Sequence, residues 1–188
     1  MRRLFASIAA IPLLLAPHAV HAQGVQNGSA MDFTFTAIDG APMPLADLKG
    51  RVLLVLTVAS FCGFTRQDAG LQALYERFAT QGLVVVGVPA NDVGEQEPGS
   101  NAEIMTFCEG AFNVTIPLTE KVTVKGATAH AFYRWARESL GDEYMPRWNF
   151  HKYLVGRDGR LISAFSTNLE PQTPQVIKAI EAALAQVK

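Results

Sequence analysis

Val52-Leu53-Leu54-Val55-Leu56-Thr57-Val58-Ala59-Ser60-Phe61-Cys62-Gly63-Phe64-Thr65 is the stretch on which the fold of this chain turns. Val52 to Val58 is too continuously apolar for a half-buried strand, and it suits one covered on both faces. The run stops at Ala59-Ser60, a cysteine and Gly63 follow, and an amphipathic pattern begins at Leu71. Strand, sharp loop and helix place the thiol at the C-terminal end of a strand, where open α/β sheets put their sites. A nearby helix start favours thiolate over thiol. Cys62 fits two readings here, a small buried hydrophobe or a nucleophile, and the rest of the chain has to decide.

Downstream, Leu71, Leu74, Tyr75 and Phe78 recur at helical spacing and Gly82 can end that helix. Leu83 to Val88 is a second buried strand, ended by Pro89. Ala90 to Gly99 is a polar, glycine-containing loop. Ser100-Asn101-Ala102-Glu103 is a capping box opening a helix through about Glu109, with Cys108 near its end. Val114 to Pro117 suits a short edge strand. Ala129, Phe132, Tyr133, Ala136 and Leu140 mark another helix, and Gly141 to Arg147 a loop. Trp148 to Val155 reads as a strand, Arg157 to Arg160 as a hairpin turn, and Leu161 to Phe165 as the return strand. Thr173-Pro174 opens a final helix with Val176, Ile177, Ile180 and Leu184 buried.

Upstream, Phe33 to Thr36 alternates and Asp39-Gly40 signals a turn, so an N-terminal β-hairpin precedes the first buried strand. The sum is an α/β, thioredoxin-like layer architecture: a central mixed sheet flanked by helices, in one domain over residues 32–188. Residues 23–31 are polar and read as a mobile tail. Residues 1–22 read as a secretory signal peptide: Arg2-Arg3, an apolar Leu4 to Leu15, and small residues before a cleavage site at Ala22. That core is too short to span a bilayer, and no cysteine adjoins the cleavage site, so no stable membrane anchor is expected. The expected location is the periplasm of a bacterium, or the medium. The chain carries 16 basic and 17 acidic side chains. Such a dispersed, near-neutral balance provides no basic footprint for nucleic acid.

Cys62 and Cys108 are the two cysteines. In an oxidising compartment the default is one structural disulfide, but a domain of this size needs no staple, so a redox-active pair competes. The absence of Cys-x-x-C argues against an ordinary thiol–disulfide oxidoreductase. No His, Cys and Asp set has metal-ligand spacing. His130 reads as packing or surface. His151, two residues after Asn149 on the expected strand, would share its face and could serve a site there.

Three segments together resemble the glutathione peroxidases. They are Val58 to Thr65; Val88-Pro89-Ala90-Asn91-Asp92-Val93-Gly94-Glu95-Gln96-Glu97-Pro98-Gly99-Ser100; and Trp148-Asn149-Phe150-His151-Lys152-Tyr153-Leu154-Val155. Order and spacing match over roughly Met31 to Val187. The resemblance implies peroxide reduction at Cys62, with Gln96, Trp148 and Asn149 completing a tetrad. Amide and indole N–H groups can donate to sulfur without adding a carboxylate and can stabilise charge on the leaving oxygen. Cys108 lies where the family's two-cysteine members carry the resolving cysteine. The implied cycle reduces hydrogen peroxide or an organic or lipid hydroperoxide, leaves a sulfenic acid on Cys62, and closes a disulfide to Cys108. A dithiol donor of thioredoxin-like type, or else glutathione, then reopens it, with no cofactor. The competing functions are an exported thioredoxin-like thiol–disulfide exchanger and a peroxide sensor. Two departures stand out. Asp92 replaces a glutamine, and a carboxylate there would raise the thiol pKa. Phe61 stands where Lys or Gln is common and adds apolar surface. The segment before Trp148 lacks the long insertion of the family's tetrameric members, so the resemblance implies a monomer or weak dimer with an open site.

Overall fold

The computed structural model describes residues 27–112 and 115–186. The signal peptide expected at 1–22 and the first residues of the expected tail lie outside that range. The ordered domain starts earlier than residue 32. Ser29 caps a 3₁₀ turn over Ala30–Asp32, Ala30 is fully buried, and its amide donates to Gly159 O at 2.9 Å.

The expected hairpin forms. Strand β1 (Thr34–Thr36) pairs antiparallel with β2 (Pro42–Pro44), and Phe35 faces Met43. The two continuous apolar runs become β3 (Val52–Val58) and β4 (Leu83–Pro89), every residue of both buried. They pair in parallel, Thr57 beside Val88 and Val58 beside Pro89. On its other side β3 pairs antiparallel with β5 (Lys152–Val155), which pairs antiparallel with β6 (Leu161–Phe165). The order β4-β3-β5-β6 is a mixed sheet.

Alternate side chains of β3 feed two cores. Leu53 and Val55 meet Phe132, Tyr133 and Ala136 of α3 (Ala131–Leu140) together with Phe35. Leu54 and Leu56 meet Leu71, Leu74 and Phe78 of α1 (Gln67–Phe78), and Val176 and Ile180 of α4 (Pro174–Ala185). Each fully buried aliphatic side chain contributes about 1.5–3 kcal/mol. This coverage on both faces is why β3 carries no polar alternation.

Three expectations change. Residues 115–117 do not make a strand, and residue 114 lies outside the described range; Leu118 and Thr119 make only isolated bridges to Gly87 and Ala37. Pro117 has no N–H to continue a ladder, and its carbonyl accepts from Gly87 N at 2.9 Å. That approach needs a glycine, because a Cβ on Gly87 would stand 2.6 Å from Leu118 Cδ2. The strand expected from Trp148 begins only at Lys152; Trp148-Asn149-Phe150 forms a turn, with Phe150 at φ +62. Helix α2 (Asn101–Phe112) starts from the expected capping box, Ser100 N donating to Glu103 Oε2 at 2.7 Å, but runs past Glu109. Within the loop before Trp148, Asp142–Tyr144 form a 3₁₀ turn.

Candidate active site

The topology brings three loops to one edge of the sheet. Cys62 follows the C-terminal end of β3, and Gln96 follows that of the parallel β4. Because β5 runs antiparallel to β3, the turn Trp148–Phe150 before it arrives at the same edge. Phe150 N closes this junction by donating to Thr57 O at 2.7 Å.

Cys62 is 3 % exposed, a free thiol packed with Val58, Ala59 and Leu71. Its loop is tied to the Gln96 loop twice. Phe61 N donates to Gln96 O at 3.0 Å, and Ser60 N and Oγ both donate to Glu97 Oε2, at 2.7 and 3.0 Å. The Gln96 loop is braced from within, Asn91 Oδ1 accepting from Glu97 N at 2.9 Å.

Asn149 is fully buried. Its Nδ2 donates to Val93 O at 3.0 Å and to Gln96 Oε1 at 3.2 Å, and its carbonyl accepts from Thr167 Oγ1 at 2.8 Å. The two amide hydrogens expected to serve sulfur are therefore committed to the neighbouring loop. Asn149 fixes the Gln96 amide by its oxygen end. Trp148 is partly exposed and lies across Gly94, where a Cβ would come within 2.7 Å of the indole. Gly94 also holds φ +87, so that position favours glycine twice over.

Beneath the turn sits Lys152, fully buried, its Nζ donating to Phe150 O at 2.7 Å and Leu169 O at 3.1 Å. Burial pushes its pKa down to about 8. His151 does not join the site. Asn149 is off the strand, so the shared-face argument fails; the imidazole is buried beside Tyr153, and burial followed by the Lys152 charge pushes it down to about 4. His130 packs, as expected: it stacks on Phe35 at 4.1 Å and its Nδ1 accepts from Phe132 N at the start of α3. Asp92 is engaged with the segment before α3. Its carboxylate accepts from Val124 N and Lys125 N at 2.9 and 2.8 Å.

Cys108 is half-buried on α2, in no disulfide, and packed against the same core cluster as Cys62. The preceding residues of the two cysteines meet, with the Phe61 and Phe107 rings 6.4 Å apart. Phe61 is 68 % exposed and, with Pro98, Ile104 and Phe107, lines the apolar side of a groove of about 400 Å³ whose other side carries Ser60, Glu97 and Glu103. Among the described residues no His, Cys, Asp and Glu group could hold a metal ion.

Two acids went unassigned in the sequence, Asp68 and Glu97. Asp68 lies three residues before Leu71 on the apolar stripe of α1, which was its visible signal. Both are buried. Burial, then repulsion from Glu97, pushes Asp68 up to about 7. Burial also raises Glu97, against the Ser60 hydrogen bonds and the Lys121 charge. A carboxyl raised in the fold favours the folded state most when protonated, so its contribution is lost as pH rises toward 7. His151, held low, acts oppositely: its contribution is present above its unfolded value near 6.5 and lost as pH falls toward 4. Between pH 4 and 6.5 the two slopes cancel. Asp68→Asn is expected to gain on the parent as pH rises from 4 to 7.5, reaching about 4 kcal/mol. Urea denaturation across that range checks this; parallel curves for the two proteins would refute it.

The glutathione peroxidase family model matches residues 30–137. A hydroperoxy fatty acid reductase of Synechocystis is 42 % identical over 153 residues, covering 77 % of this chain and 90 % of that one. A glutathione peroxidase-like peroxiredoxin of Schizosaccharomyces pombe is 42 % identical over 137 residues, covering 71 % and 86 %. The crystal structure of apo Trgpx superposes with a TM-score of 0.67 at 30 % identity, covering 85 % of this chain and 98 % of that one. With the fold, the three-loop edge and these matches in agreement, the chain belongs to the glutathione peroxidase family of peroxidases.

Proposed function

We propose that this chain is an exported two-cysteine peroxidase that reduces hydrogen peroxide and organic or lipid hydroperoxides at Cys62. The Cys62 thiolate attacks one peroxide oxygen, the O–O bond breaks, and water or an alcohol leaves, producing a sulfenic acid. Gln96 Nε2 and the Trp148 indole N–H are the donors for sulfur and for charge growing on the departing oxygen. Asn149 positions rather than donates, because its amide is engaged with Gln96 and Val93. Cys108 resolves the sulfenic acid to a disulfide, and a dithiol protein of thioredoxin type reduces it. Residues 1–22 direct the chain to the periplasm or the medium and are removed.

The Asn149–Gln96 hydrogen bond, formed beside the loop of Cys62, is the observation that carries this function. A thiol–disulfide exchanger has no use for it. The apolar side of the groove beside Phe61 and the hydroperoxy fatty acid reductase among the relatives both support a bulky organic hydroperoxide as substrate. The exposure of Phe61 and Trp148 supports an open site on a monomer or weak dimer.

Stopped-flow measurement of Cys62 oxidation by hydrogen peroxide and by a fatty-acid hydroperoxide tests the chemistry. Thiol loss no faster than that of free cysteine would sink it. Cys108→Ser is expected to keep the first oxidation and accumulate sulfenic or overoxidised Cys62. Undiminished turnover of that variant with a dithiol donor would retire the resolving role.

A further inference from the structure

Between the Cys62 loop and helix α2 lies a cavity of about 10 Å³, walled by Val58, Ala59, Ser60, Asp68, Glu97 and Cys108. It has room for about one water molecule. Glu97 is 1 % exposed; Oε2 is held by Ser60, but Oε1 is buried with no hydrogen-bond partner. A buried carboxylate oxygen left unpaired is costly, and a second buried acid, Asp68, lines the same cavity. The resolving thiol occupies the wall beside both.

We propose that the Asp68–Glu97 carboxyl pair transfers the proton of the resolving step, taking it from the Cys108 thiol and returning it to the hydroxide that leaves Cys62. This rests on Cys108 being the resolving cysteine. The step balances without a further reactant. The Cys108 sulfur forms a bond to the Cys62 sulfur as the Cys62 S–O bond breaks. The thiol proton passes to the carboxylate, directly or across one water, and a carboxyl proton meets the departing hydroxide as water. The hydroperoxide has already supplied the oxidation. A group that is half-protonated near neutral pH serves both as base toward the thiol and as acid toward hydroxide, and Asp68 is held near 7.

The other charges around the cavity are committed. Lys121 Nζ donates to the carbonyls of Glu97 and Gly99 and lowers Glu97 only as the smallest of its influences. Glu103 of α2 accepts from Ser100. Arg66, before α1, binds Glu170. Of the remaining titratable groups, the Cys108 thiol lines the cavity with the pair, and Cys62 follows two residues after Ser60 in the loop that forms its other wall.

The test uses the reduced full chain, mixed with one equivalent of hydrogen peroxide, quenched with an alkylating agent, and read by mass spectrometry as thiol, sulfenic acid and disulfide. Wild-type disulfide formation should inflect near pH 7. Asp68→Asn should slow it about tenfold at pH 7, accumulate Cys62 sulfenic acid and lose the inflection. Asp68→Glu should restore the rate and the inflection. Disulfide formation by Asp68→Asn at the wild-type rate, or uniformly slower with the inflection kept, overturns the proton-transfer role while leaving Cys108 as resolver. Absence of a Cys62–Cys108 disulfide in the wild type overturns both.

Discussion

Cys62→Ser is expected to lower hydroperoxide turnover by roughly a thousandfold or more. The reason is the nucleophile. A serine hydroxyl stays protonated where a thiol ionises, and an unionised hydroxyl attacks peroxide oxygen poorly. The variant keeps the shape of the site. Serine is nearly isosteric, the surrounding wall is Val58, Ala59 and Leu71, and one buried hydroxyl costs about 1–3 kcal/mol if unpaired. Cys62→Ala, which carries no such cost, serves as the control for folding. Peroxide consumption measured with excess dithiol checks the prediction. The chain has only one other cysteine, so residual turnover above a tenth of the parent would transfer the chemistry to Cys108.

The parts of this fold that were legible in the sequence are those whose partners are near in the chain or whose environment is uniform. Val52–Val58 and Leu83–Pro89 could be read as buried strands because both sheet faces are covered, leaving no alternation to misread. Ser100 and Glu103 announced their helix because a capping box is local chemistry. The turn at Trp148–Phe150 was not legible, and the cause is long-range. Its aromatic, apolar character suits a strand, but Phe150 N is claimed by Thr57 O and Phe150 O by the buried Lys152 ammonium. Those contacts stabilise a positive φ that propensity disfavours.

The site divides the same way. Cys62, Gln96, Trp148 and Asn149 came from motif resemblance, and the fold brings their three loops to one edge. Which amide points at which partner is a tertiary property, and it reassigns Asn149 from donor to support. The pairing of Asp68 with Glu97 is likewise tertiary, since α1 and the loop after β4 meet only when the sheet is assembled. Asp92 shows the converse. Its place in the motif suggests an effect on the thiol, whereas the partners of its carboxylate, Val124 N and Lys125 N, are set by tertiary contact.

Asn149→Ala is expected to slow Cys62 oxidation by about a hundredfold, close to the loss from Gln96→Ala, because both remove the same oriented donor. Gln96 Oε1 accepts from Asn149 Nδ2 at 3.2 Å; without that anchor the Gln96 amide can rotate and present oxygen where nitrogen is needed. An amide oxygen beside a thiolate repels it. If the two residues act as one unit, the double variant is no slower than either single, a coupling of about 3 kcal/mol. If each donated to sulfur independently, their losses would multiply to about ten-thousandfold. Asn149→Ala also unpairs Val93 O, which loosens the Gln96 loop but does not touch the sulfur. Stopped-flow oxidation rates for the two single variants and the double variant decide between the arrangements. A multiplicative result would return Asn149 to the role of direct donor. Equal rates in all four proteins would remove both amides from the chemistry and leave Trp148 as the group that meets the departing oxygen.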